Sequence, residues 1–214
     1  MRIAIVTGGP VFDEAADIVR GSDRIICADS GADFCVRHGI VPDEVLGDMD
    51  SISAETFEMM RSRRIPFKTY PSHKDETDTE IALESCPEGS EITLVCSLTG
   101  RIDHELSNLS LLIKYKEAGF DITATDGRSD VIPMSGVDTL NVEGIDGKVA
   151  ISIIPFGCSR IEGVTTKGLA YPLQDASIDA LGSLSVSNEL SDGESGFEIS
   201  IRSGRTLVTI SRDV

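Results

Sequence analysis

Residues Arg24-Ile25-Ile26-Cys27-Ala28-Asp29-Ser30-Gly31-Ala32-Asp33 decide the architecture. A continuous apolar run with no polar alternation reads as a strand buried on both faces, as in a parallel sheet. It ends on an Asp and a Gly, and a helical pattern around Ala32 to His38 follows. The same alternation extends in both directions. Ile3 to Val6 reads as a strand and Phe12 to Val19 as a short amphipathic helix. Val45-Leu46 leads into Gly47-Asp48, Ala54 to Arg63 is helical, Pro66 to Tyr70 extended, and Asp78 to Ser85 helical. Ile92 to Cys96 is a strand, Asp103 to Ala118 the longest helix, and Ile122 to Thr125 a strand again. Strand and helix in repetition imply a parallel sheet covered on both faces.

The pattern changes near Gly136. Asp138 to Val142, Lys148 to Ile154, Ser159 to Thr166, Ser183 to Asn188, Gly196 to Arg202 and Thr206 to Ser211 read as strands, each flanked by Gly, Asp, Ser or Asn. The one helical signal in this stretch is Ile178 to Leu181. The expectation is therefore an α/β domain over residues 1–135 and an all-β sandwich over residues 136–214.

Composition narrows the function. The chain has 214 residues and a formal net charge of −17. A general basic surface for nucleic acid or anionic membrane is not expected. Phosphorylated small molecules stay open, because carboxylates hold phosphates through Mg²⁺. The five cysteines form no CxxC pair and read as buried free thiols of a reducing compartment. The N-terminal apolar run is too short for a signal-peptide core, and no run approaches the roughly 20 residues that span a bilayer. A cytoplasmic protein is expected.

There is no GxxxxGK[ST], no GxGxxG and no HExxH. The chemistry-bearing signal is instead a set of acidic clusters at strand ends. Asp29-Ser30-Gly31 ends one strand and opens a helix whose N-terminus suits an anion, or it is simply a helix cap. Asp48 and Asp50 lie two residues apart past an apolar strand; together they suit one hard cation, or they form an acidic turn before the helix at Ser53. Lys74-Asp75-Glu76-Thr77-Asp78-Thr79-Glu80 offers a carboxylate, hydroxyls and a lysine, or an N-cap with acidic residues favoured by the helix dipole. Thr99-Gly100-Arg101-Ile102-Asp103-His104 supplies a guanidinium fork for phosphate, with His104 and Asn108 on one helix face, or a capped helix with a salt bridge. All four follow parallel strands, whose carboxyl ends share one edge, so the loops converge.

These residues resemble the thiamine pyrophosphokinases of the bacterial type. The family's GDxDS is Gly47-Asp48-Met49-Asp50-Ser51, its KDxTDxE runs from Lys74 to Glu80, and its GGRxDHxxxN is Thr99-Gly100-Arg101-Ile102-Asp103-His104 through Asn108. Gly163-Val164-Thr165-Thr166-Lys167-Gly168-Leu169, Tyr171-Pro172-Leu173 and Ser187-Asn188-Glu189 continue the match, which covers nearly the whole chain. Thr99 and Ser30 each stand where the family carries glycine, and there is no tryptophan.

The resemblance implies an α/β nucleotide-binding domain of Rossmann-like form, a β-sandwich that binds thiamine and dimerises, and a homodimer with active sites at the subunit interface. It implies transfer of a diphosphate from ATP to the hydroxyl of thiamine, with Mg²⁺. By resemblance, Asp48, Asp50 and Asp78 hold the metal and, with Arg101, carry catalysis. Asp29, Ser30, Gly31, Ser51, Arg101, Asp103, His104 and Asn108 face ATP. Lys74, Thr77, Asp78, Ser187 and Asn188 face thiamine. A pyrophosphokinase acting on a hydroxymethyl-pterin, and a non-catalytic nucleotide or thiamine diphosphate sensor, are the alternatives. The tail match disfavours the first and the complete acidic set the second.

Overall fold

The structure, a computed structural model, describes residues 1–212 apart from Ser72 and Lys74. The backbone forms two compact units: Met1–Leu111 with Gly119–Gly127, and Leu112–Ala118 with the chain from Arg128 onward.

Through the first unit, with the C-terminal turns of α5 counted in the second, the chain alternates β1 (Arg2–Val6), α1 (Ala15–Arg20), β2 (Arg24–Ala28), α2 (Gly31–Arg37), β3 (Glu44–Gly47), α3 (Ala54–Ser62), β4 (Phe67–Thr69), α4 (Asp78–Glu84), β5 (Glu91–Val95), α5 (Ile102–Glu117) and β6 (Asp121–Thr125). Its strands run in the order β4-β3-β2-β1-β5-β6, every adjacent pair parallel. From β1 the chain builds outward through β2 and β3, then returns to the other side of β1 with β5. That reversal is a topological switch point, where the loops leaving β1 and β5 part and open a crevice. Ala4, Val6, Cys27, Val45 and Val95 from the strands join Ala16, Val19, Phe34 and Met60 from the helices in one apolar cluster. Among the charged groups buried in this unit, Glu44, 5% exposed, is paired with Arg24 of β2 and with Lys68 of β4 at 2.5 Å.

The cysteines are all free, four of them buried (Cys27, Cys35, Cys86 and Cys96) and Cys158 half-buried. The Cys27 and Cys35 sulfurs lie 3.4 Å apart. Burial pushes the Cys86 thiol up to about 11 and the Cys96 thiol up to about 12.

The second unit is antiparallel. Strand β13 (Arg205–Arg212) lies between β7 (Ser129–Ser135) and β9 (Val149–Pro155). A separate four-stranded sheet runs β11 (Ala176–Asp179), β10 (Arg160–Lys167), β12 (Phe197–Ile201), β8 (Asp138–Val142). Alternation in β12 buries Phe197, Ile199 and Ile201, and these meet Ile151, Ile153, Val208 and Ile210 of the first three strands in a single core.

Two sequence expectations change here. Ser183 to Asn188 is not a strand: Ser185 and Ser187 take φ values of 70° and 58°, which break an extended run, and only Asn188 bridges Ile151. Ile178 and Asp179, expected in a helical turn, belong to β11, where Ile178 is buried opposite Ile161. Strand β7 was hidden by Pro133, which lacks a ladder donor. Among the described residues, no helix is long and apolar enough to cross a membrane.

Candidate active site

The loops leaving β1, β2 and β5 and the start of α4 line one cavity of about 550 Å³ in the first unit. Thr7, Gly8, Gly9 and Pro10 come from the β1 loop, Asp29 and Ser30 from the β2 loop, and Thr77 and Asp78 from the start of α4. Ser97, Gly100 and Arg101 come from the β5 loop, and His104, Glu105 and Asn108 from α5. Ser51 completes the wall.

The acidic centre depends on one glycine. Gly47 ends β3 with φ 136°, a conformation that L side chains rarely adopt. The Asp29 carboxylate occupies the space a Cβ would need there. The main chain then turns through Met49, φ 66°, whose N–H donates to Asp29 Oδ1 at 3.1 Å. The N–H of Asp50 donates to Asp48 Oδ1 at 3.1 Å. Carboxylate oxygens of Asp29, Asp48 and Asp50 consequently lie within 4.8 Å of one another.

So close a set of like charges shifts its own titration. Burial pushes Asp29 up to about 7, helped by a hydrogen bond with Asp78 and by the charges of Asp78 and Asp48, against the stabilising Met49 N–H. The charge of Asp48 raises Asp50. Hard oxygen donors whose mutual repulsion a cation would relieve fit Mg²⁺. Asp29, assigned from the sequence to the nucleotide, therefore stands among the carboxylates, in contact with Asp78.

Helix α4 is capped by Thr77, whose hydroxyl accepts from the Glu80 N–H at 3.2 Å. Its hydroxyl is thus engaged locally while the residue lines the cavity. On the other wall, the Gly100 N–H donates to the Glu105 carboxylate, and the Thr99 N–H donates to Ser97 Oγ at 3.2 Å. The guanidinium of Arg101 forks onto Asp103, with Nε–Oδ1 at 3.2 Å and Nη2–Oδ2 at 2.7 Å. That pair holds the Asp103 carboxyl down at about 2. Asn108 is buried and its side chain engages the Cys96 thiol.

Asp29, Ser30, Ser51, Thr77, Asp78, Arg101, His104 and Asn108 are thus brought to one cavity, with Asp48 and Asp50 joined to it through Asp29. Gly31 is buried at the start of α2, and Asp103 is an exposed partner of Arg101. Lys74 lies outside the described residues. Ser187 and Asn188 belong to the second unit. There the Ser187 N–H donates to Ser152 Oγ at 3.0 Å. Asn188, 7% exposed, accepts from the Tyr171 and Glu189 N–H groups and donates to the Tyr171 carbonyl, so its amide holds the Tyr171 turn.

Sequence reasoning missed the Thr7–Pro10 loop. Its only signal was Gly8-Gly9 directly after the first buried strand. A side chain on Gly8 would run into the Ser30 hydroxyl, and one on Gly9, φ 106°, would reach within 2.9 Å of Ser97 Cβ. Both glycines thus let this loop sit against the β2 and β5 loops across the switch point.

Comparison with known proteins agrees with this organisation. The family model for the catalytic domain of thiamin pyrophosphokinase matches residues 15–124, and that for its vitamin B1 binding domain matches residues 132–206. Thiamine pyrophosphokinase of Bacillus subtilis (strain 168) is 31% identical over 192 residues, covering 88% of this chain and 89% of that protein. Thiamine pyrophosphokinase 1 of Oryza sativa subsp. japonica is 28% identical over 187 residues, covering 76% and 70%. The crystal structure of the Bacillus subtilis enzyme superposes with a TM-score of 0.86 at 28% identity, covering 100% of both chains. Thiamin pyrophosphokinase from Candida albicans, at 18% identity and a TM-score of 0.82 over 99% of this chain and 90% of that one, shares the fold. With both domain models matched in order along one chain, this protein belongs to the thiamine pyrophosphokinase family.

Proposed function

We propose that the chain transfers the diphosphate of ATP to the hydroxyl of thiamine, giving thiamine diphosphate and AMP. The observation that carries this reading is the Asp29–Asp48–Asp50 group, touching Asp78, at a cavity edge that also bears Arg101. Asp48, Asp50 and Asp78 would hold Mg²⁺, with Asp29 beside them. When bound there, Mg²⁺ neutralises charge on the phosphate oxygens.

In the reaction the thiamine hydroxyl oxygen bonds to the β-phosphorus. The bond from that phosphorus to the α,β-bridging oxygen breaks, and the electron pair leaves with AMP. Asp78 orients the hydroxyl and receives its proton. Arg101 turns from Asp103 to the polyphosphate, where its planar fork matches two oxygens. Ser30, Gly31, Ser51, Asp103, His104 and Asn108 shape the ATP site, together with Gly8, Gly9 and Ser97. Positioning and charge neutralisation dominate, since phosphoryl transfer asks little covalent work of a protein.

The first unit, which ends at Gly127 and so falls short of the boundary at 135 expected from the sequence, forms the Rossmann-like ATP and Mg²⁺ domain, and the second a β-sandwich that binds thiamine and dimerises. Lys74, Thr77, Ser187 and Asn188 serve thiamine, the Asn188 amide also holding the Tyr171 turn. A homodimer with active sites at its interface is supported by Leu181, Leu184 and Val186, apolar side chains left exposed near Ser187 in sequence. Five free cysteines support a cytoplasmic setting.

The test is incubation with ATP, Mg²⁺ and thiamine, followed by quantification of AMP and thiamine diphosphate. A parallel arm replaces thiamine with a hydroxymethyl-pterin. Equimolar AMP and thiamine diphosphate are expected. A diphosphorylated pterin in place of thiamine diphosphate would reassign the acceptor, and binding of both ligands without AMP would make the chain a sensor.

A further inference from the structure

We infer that Asp33 and Ser53 are positioning residues, a strap that sets the spacing of the two acidic loops. The inference rests on the cation reading above. Asp29 belongs to the loop between β2 and α2, and Asp48 and Asp50 to the loop between β3 and α3. These loops are tied at three levels. At the strand ends, the Asp29 N–H donates to the Leu46 carbonyl at 2.9 Å. At the cluster, the Met49 N–H donates to Asp29 Oδ1. Past the cluster, Ser53 Oγ donates to Asp33 Oδ1 at 2.6 Å, and the Ser53 N–H lies 3.4 and 3.3 Å from the two Asp33 carboxylate oxygens.

The loops need such a tie. Carboxylate oxygens of Asp29, Asp48 and Asp50 crowd within 4.8 Å, and their mutual repulsion, unless a cation relieves it, works against the closeness of the loops. Asp29 and Met49 also hold φ values of 45° and 66°, left-handed conformations that persist only where the surroundings impose them. In sequence the carboxylates are enclosed, with Asp29 between the strand-end bond and Asp33, and Asp48 and Asp50 between Gly47 and Ser53. The Ser53 hydroxyl performs two tasks at once. Its oxygen accepts from the Thr56 N–H at 3.2 Å and so caps α3, while its hydrogen goes to Asp33. A single side chain thereby joins the start of α3 to the first turn of α2.

The experiment measures Mn²⁺ binding to the full chain by electron paramagnetic resonance, without nucleotide, alongside thermal melts. Ser53→Asp keeps an acceptor for the Thr56 N–H but cannot donate to Asp33. It also adds a negative charge, so charge alone would tighten Mn²⁺ binding. A broken strap weakens it, by roughly tenfold, the scale for residues that orient metal ligands without touching the metal. Asp33→Ala should show a similar loss, while Asp33→Asn, which retains an acceptor for Ser53, should stay within about twofold of wild type. Raising the metal concentration should restore turnover in every variant, leaving the metal requirement shifted and kcat near wild type.

Ser53→Asp binding Mn²⁺ as tightly as wild type, or more tightly, overturns the strap. So does an Asp33→Asn loss equal to that of Asp33→Ala, which would assign the effect to charge. Should Asp33→Ala fail to fold, Ser53→Asp decides alone. A wild-type chain that binds no Mn²⁺ overturns the cation reading and the strap together. A wild type that binds, with Ser53→Asp equal to it, overturns the strap and leaves the cation reading standing.

Discussion

Replacing Gly47 by alanine tests the acidic centre through one methyl group. At φ 136° the alanine backbone is strained, and its Cβ collides with Oδ1, Cγ and Oδ2 of Asp29 together. Backbone strain of this kind costs about 1–3 kcal/mol. For a chain of this size, that lowers Tm by about 2–12 °C. The collision adds a second effect, because the Asp29 carboxylate must leave the position where it meets the Met49 N–H and Asp48. Loss of one organised electrostatic group at a reacting centre is worth about 3 kcal/mol, so turnover should fall at least about a hundredfold. Gly39→Ala is the control: φ is 67° and nothing lies within 4 Å of its Cβ, so strain is introduced without collision. Gly39→Ala should lose stability and keep its turnover. Thermal melts and steady-state assays with saturating ATP, Mg²⁺ and thiamine separate the two effects. A folded Gly47→Ala chain retaining more than about a third of wild-type turnover, on the same scale of effect, would show that the placement of Asp29 does not matter.

Asp48→Asn and Asp78→Asn should each lower turnover by about a hundredfold or more while melting like wild type; near-normal turnover at saturating Mg²⁺ would remove the residue from the metal site. Asp103→Asn releases the Arg101 fork and should lower the KM for ATP, whereas Arg101→Lys, lacking the planar fork, should raise KM or reduce kcat; unchanged kinetics in both would make the Arg101–Asp103 pair structural. Glu44 gives a pH signature. Burial alone would raise its pKa, but Lys68 and Arg24 outweigh burial and hold it below the ordinary range. Its contribution is therefore complete above the unfolded value of about 4.3 and is lost as pH falls through the lower folded value. Urea unfolding of Glu44→Gln against wild type should show a stability gap at pH 7 that closes in acid, and a gap independent of pH would refute the pairing. Mixing Asp78→Asn and Ser187→Ala chains, each inactive alone, should regain activity if the site spans two subunits, and no recovery after proven exchange would confine each site to one chain.

The first unit was legible because local signals and tertiary placement agree. Runs such as Arg2–Val6 and Arg24–Ala28 are buried on both faces past their first residue, so hydropathy reports them directly. The carboxylates were legible through their position past such runs. Where a contact joins distant residues, nothing local announces it: Ser53 and Asp33 stand 20 residues apart, and no spacing rule relates them. The Thr7–Pro10 loop carries no charged side chain and contributes largely through backbone and shape, so it left little more than two glycines to read. In the second unit the alternation of Phe197–Ile201 succeeded, but Ser183 to Asn188 showed the same alternation and failed. Left-handed Ser185 and Ser187 have no Gly or Asn to advertise them. Ile178, apolar beside small residues, suits a helix or a strand equally until β10 supplies its partner.

The distribution of thiols makes the molecule a reporter on its own opening. Cys27, Cys35, Cys86 and Cys96 are sealed in the first unit, whereas Cys158, partly accessible, lies in the second. An alkylating reagent added to the native protein therefore meets one sulfur readily and four only when the first unit breathes. The raised pKa values of Cys86 and Cys96 keep them protonated even then until water arrives. Peptide mass mapping over time would thus follow the opening of the first unit, with Cys158 as the internal reference for the reagent, and with no label, tag or added tryptophan. A ligand that closes the cavity would register as slower modification of Cys96, which lies beneath Asn108.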